Sequence, residues 1–106
     1  MSFLDEVRGL VTKAKHKEMT KTIVLDNQKK VKSAQLLIIL KTTGVWESLV
    51  KKEANSGYTH LNLRVMLEEE DARKFSDHIE TFGFMSYVNS LRDSENWEVV
   101  IDWKKR

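Results

Sequence analysis

Residues 58–66, YTHLNLRVM, decide the fold. Leu61, Leu63 and Val65 alternate with His60, Asn62 and Arg64, the period of two that gives a strand one apolar and one polar face. Immediately downstream, EEED at 68–71 places four negative charges where a helix would begin, a position favoured by the positive end of the backbone dipole. Ala72, Phe75, Ile79 and Phe82 then recur at helical spacing as an inward face, and Gly83 supplies a stop.

FMSYVNS, residues 84–90, reads as a second strand, and after the polar connector LRDSEN the segment WEVVIDW reads as a third. In the latter, Trp97, Val99, Ile101 and Trp103 share one face, and Glu98, Val100 and Asp102 share the other. The last two strands are close enough in sequence for an antiparallel hairpin, and the first can join either edge.

Upstream of residue 58, Trp46, Leu49, Val50 and Ala54 form a short helical face that Asn55, Ser56 and Gly57 terminate, after a corner at Thr42, Thr43 and Gly44. Before that corner, Leu36 to Leu40 is an unbroken apolar run whose continuity alone does not separate helix from buried strand. Val31, Ala34 and Ile38 extend a helical stripe, so a helix capped at Asp26 or Asn27 is the preferred reading. Ser2 and Asp5 open a first helix carrying Phe3, Leu4, Val7, Leu10, Val11 and Ala14 inward. The β-branched stretch Thr20 to Val24 is read as its ending or an irregular link.

The expected fold is therefore α+β: three N-terminal helices followed by a β-α-β-β unit, with a small, mostly antiparallel three-stranded sheet covered by helices. At 106 residues the chain is expected to be a single domain spanning 1–106, because two separate cores would each have too little interior. No apolar run approaches the roughly 20 residues that cross a bilayer. Asp5 and Glu6 stand where a secretory leader would be basic and then apolar, so a cytoplasmic or otherwise intracellular location is expected. The absence of cysteine excludes disulfides, thiolate nucleophiles and cysteine-ligated metal.

The net charge of +2 conceals an asymmetry. Residues 1–60 hold eleven basic and six acidic side chains, a net +5, whereas residues 61–106 hold seven basic and ten acidic, a net −3. Within 13–32, Lys13, Lys15, Lys17, Lys21, Lys29, Lys30 and Lys32 face only Glu18 and Asp26. If the first two helices form a hairpin, these lysines make one phosphate-facing surface. The stretch contains neither the arginines that read bases bidentately nor an aromatic stacking platform, so backbone-directed contact is the form expected of it.

The polar strand face offers a second candidate site. If the first strand pairs with the last, Glu98 and Asp102 oppose Arg64 and His60, with Asn62 between them, as an interaction face or as a carboxylate beside an imidazole. Asp77, His78 and Glu80 are metal-ligand types, but such close neighbours on a helix diverge, and there is no HExxH, Walker, dinucleotide-glycine, SxxK or GxSxG pattern. The sequence thus gives no catalytic residue, no metal ligand and no cofactor, and a small-molecule substrate is not expected. The overlong apolar run and the exposed-looking strand face point to a non-enzymatic interaction or assembly domain. Its partner is expected to be itself or another protein, with a small lysine-phosphate nucleic-acid binder as the alternative.

Overall fold

The computed structural model describes residues 2–13, 21–25, 31–91 and 97–104. The elements are, in chain order, α1 (Phe3–Lys13), β1 (Lys21–Val24), α2 (Ser33–Thr42), α3 (Val45–Asn55), β2 (His60–Val65), α4 (Glu69–Glu80), β3 (Met85–Ser90) and β4 (Trp97–Asp102). The strands form one mixed sheet in the order β1-β2-β4-β3. β1 runs parallel to β2, while β4 is antiparallel to both β2 and β3. β2 and β3 therefore run the same way with α4 as their crossover, and β4 fills the gap between them in a split β-α-β arrangement.

This corrects the expected three helices followed by three strands. Lys21 to Val24, read as a link, is a parallel edge strand, with Ile23 in register with Leu63 and Val24 with Arg64. The β-branched residues that disfavour helix also suit a pleated edge. Four residues are too few to display a period, so what makes them a strand is the partner that β2 provides.

Two further expectations on α2 change. The helix starts at Ser33, so Val31 lies outside it, and the proposed caps at Asp26 and Asn27 fall outside the described residues. The buried phase is Leu37 and Leu40; Ala34 is exposed and Ile38 is 59% exposed, so the stripe drawn through Val31, Ala34 and Ile38 is not the inward one. Phe82 is also partly exposed, because it lies in the turn after α4.

A single apolar cluster joins the helices to one parity of the strands. Leu61, Leu63 and Val65 of β2 meet Val99 and Ile101 of β4 under Trp46, Val50, Phe75 and Ile79 of the helices. Trp46 is completely buried and makes edge-on contacts with Phe3 and Phe84 at centroid distances of 5.7 and 5.8 Å, tying α1 and α3 to the start of β3. Trp103 closes the end of the sheet: its backbone N–H donates to Thr59 O, its indole N–H donates to Tyr58 O, and its own carbonyl accepts from Arg8 Nε. Ser33 fixes α2 to α4 by accepting from the Glu68 backbone N–H and donating to Asp71 Oδ2.

The other parity of the strands belongs to the opposite face of the sheet. There the register aligns Thr22, Asn62, Val100 and Tyr87 in one row, with Val24, Arg64, Glu98 and Asn89 beside them. None of these joins the core cluster formed with the helices. Val24, Met85 and Tyr87, all on this face, are 60%, 50% and 54% exposed.

The two faces predict opposite mutational costs. Leu63→Ala should lower unfolding free energy by about 2–5 kcal/mol in urea titrations. Val24→Ala, one position from Leu63's partner Ile23 and on the outer face, should stay within about 0.5 kcal/mol of wild type.

Candidate functional site

The pairing of β2 with β4 assembles the polar strand face. His60 is the direct partner of Asp102, Asn62 of Val100 and Arg64 of Glu98. His60 Nε2 lies 3.1 Å from Asp102 Oδ2, and Arg64 Nε lies 3.3 Å from Glu98 Oε2. On the other side of the imidazole, Thr59 Oγ1 is 2.8 Å from Nδ1. A carboxylate only accepts, so Nε2–H is the donor to Asp102, and in the tautomer that carries its hydrogen there Nδ1 accepts a hydrogen bond from the Thr59 hydroxyl.

The carboxylates are the buried members of these pairs. Side-chain exposure is 7% for Asp102 and 11% for Glu98, against 28% for His60 and 45% for Arg64. Both strands are inner ones, so the difference lies in the side chains: the short carboxylates stay close to the sheet, while the His60 ring and the longer Arg64 reach further into solvent. Each enclosed acid would incur a large desolvation cost if left alone, and each is matched with a cationic or donor group from β2. Asp102 also accepts the Lys104 backbone N–H through Oδ1 at 2.8 Å, which fixes the chain as it leaves the sheet.

Thr59, His60 and Asp102 form a continuous hydrogen-bonded row with the residue types of a nucleophile, a base and an orienting acid. Thr59, however, is only 5% exposed, and its backbone carbonyl holds Trp103. Attack by its hydroxyl on a substrate would require the strand ends to separate. As it stands, the row ties the beginning of β2 to the end of β4.

Most of the lysine cluster falls outside the described residues. In the chain β1 stands between α1 and α2, so the two helices do not follow one another directly. Lys21 opens β1, Lys32 is the residue preceding α2, and Lys13 ends α1; Lys15, Lys17, Lys29 and Lys30 lie outside the described residues.

Asp77, His78 and Glu80 diverge on α4. Asp77 and Glu80 line a surface hollow, while His78 turns to Trp46 and Phe82, at centroid distances of 6.2 and 5.3 Å. Among the described residues no group of three or more acidic, histidine or cysteine side chains is arranged to hold a metal. His78 Nε2, Trp46 Nε1 and Glu47 Oε2 are each enclosed without a hydrogen-bond partner. Burial lowers the His78 pKa from its ordinary 6.5, the Lys41 charge adds to that effect, and Glu47 opposes it.

Two hollows lie away from His60. One, of about 320 Å³, runs between α4 and β3 and is lined by Arg73, Ser76, Asp77, Glu80, Ser86, Tyr87 and Val88. The other is a shallow apolar depression on α2 bordered by Val31, Gln35, Ile38 and Ile39. The part of the Leu36–Leu40 run that the core leaves uncovered forms this second surface. Sequence reading missed the first hollow, because its strand wall becomes an edge only once the strand order is known.

Two measurements follow from this geometry. Arg64→Ala leaves the Glu98 charge enclosed and should cost about 1–3 kcal/mol in chemical unfolding, part of which Glu98→Gln in the same chain recovers. A depressed His78 pKa means that its contribution to stability is complete above the ordinary imidazole value and is lost as pH falls through the folded-state value. Thermal midpoints should therefore drop more between neutral and mildly acidic pH in wild type than in His78→Gln.

Comparison of the chain with protein-family models, with curated proteins and with solved structures found no match in any of the three.

Proposed function

We propose that this chain is a protein-interaction or assembly domain that meets its partner with the sheet face its helices do not cover. The observation that carries this reading is the exposure of Val24, Met85 and Tyr87 on that face, alongside the enclosed acids of β4, each paired with a donor from β2. Apolar side chains flanking a strand-centred polar row resemble the composition of a contact surface, with an aromatic and a methionine as anchors and charge pairs that set orientation. His60, Asn62, Arg64, Glu98 and Asp102 act in this reading as the rigid centre of the surface. The depression beside Ile38 and Ile39 supplies a second apolar contact on α2.

Backbone-directed nucleic-acid binding is the competing reading, carried by the net +5 of residues 13–32. The two separate in one pair of measurements. Proteins retained by the wild-type chain from cell extract, then confirmed by binding of the purified pair, should be lost with Met85→Glu/Tyr87→Ser and kept with Lys21→Gln/Lys32→Gln. Partners unaffected by the first variant would contradict the sheet-face reading. Oligonucleotide binding that weakens steeply with salt and is lost with the lysine variant would replace it with the nucleic-acid one.

A further inference from the structure

Among the described residues, β3 is an edge strand without the usual protection. Its sequence, MSYVNS, contains no charge and no proline, and its six residues pair with β4 in unbroken register without a bulge. The opposite edge, β1, is only four residues long and opens with Lys21. Sheet edges in soluble proteins are normally shortened, charged, bulged or covered, because an unpaired row of N–H and C=O groups recruits another strand.

We propose that the β3 edge is completed by β3 of a second copy, antiparallel, about a twofold axis at Ser86, joining two four-stranded sheets into one of eight. This rests on the interaction-domain reading above but uses the edge of the sheet, with a second copy as its partner, and leaves the open face free. Three observations place the axis. First, pairing centred on Ser86 sets Met85 opposite Tyr87 of the second copy, and these are the two large side chains that β3 leaves about half exposed.

Second, the stripe of α4 that lines the neighbouring hollow is Arg73, Ser76, Asp77 and Glu80. Reversed about a twofold axis between Ser76 and Asp77, it sets Arg73 against Glu80 of the second copy and Ser76 against Asp77 of the second copy. It is therefore complementary to itself. Third, the two centres coincide, because Ser76 Oγ donates to Ser86 Oγ at 2.7 Å. The axis that pairs the strands thus also passes beside the middle of the helical stripe.

The spacing is also compatible. α4 packs on both β3 and β4, so it sits inward of the edge, and adding one strand at ~4.8 Å brings the two α4 helices to ~10 Å apart. That is the distance at which helices pack side by side, and the hollow becomes the seam between them.

Sedimentation velocity from micromolar to near-millimolar protein should show a monomer–dimer equilibrium. Arg73→Glu and Glu80→Arg, both at exposed positions, should each weaken the dimer about tenfold or more, and Arg73→Glu/Glu80→Arg together should restore it. Because the described chain has no cysteine, Met85→Cys mixed with Tyr87→Cys should form a disulfide dimer that neither variant forms alone. A strict monomer over the whole range, or a dimer indifferent to both charge changes, overturns the proposal. Either result leaves the interaction-domain reading to its own binding test.

Discussion

The register between β2 and β4 is the constraint on which the rest of the structure depends. One alignment buries Leu61 against Ile101 and Leu63 against Val99 on the helix side, and on the other side brings His60 to Asp102 and Arg64 to Glu98. A slip of one residue would turn the apolar set outward and put the acids under the helices. Packing and electrostatics therefore select the same pairing, each on its own face. With β4 held centrally, β3 must take the outer position beside it and α4 must cross over it, which fixes where the α4–β3 hollow opens.

Placement between two strands, together with their short side chains, accounts for the acidic residues' surroundings. Glu98 and Asp102 alternate with core residues on β4, and in an edge strand they would be freely solvated. Between two neighbours they are enclosed, and the β2 side chains opposite them become necessary for stability as well as being candidates for binding. The pairing of these acids with β2 donors is what the proposed contact surface is built around.

Much of this was legible in sequence where periodicity was long enough to read. Six alternating residues in HLNLRV and again in WEVVID give both strand identity and face, and the charge types at 60, 64, 98 and 102 anticipate their pairing once the strands are neighbours. KTIV could not be read the same way, since four residues support no period and its strand character comes from β2. The Leu36–Leu40 run disclosed neither its state nor its phase, because five consecutive apolar residues fit helix or strand and any rotation; the contact with α3 and α4 selects Leu37 and Leu40. The unprotected edge at β3 was invisible because edge position is a property of strand order, which no local segment encodes.

Nuclear Overhauser contacts across the sheet test the central claim most directly. Backbone assignments should give strong cross-strand contacts that pair Leu63 with Val99 and His60 with Asp102, and weaker parallel contacts from Ile23 to Leu63. Contacts displaced by one residue, such as Leu63 facing Val100, would contradict the register and every surface derived from it.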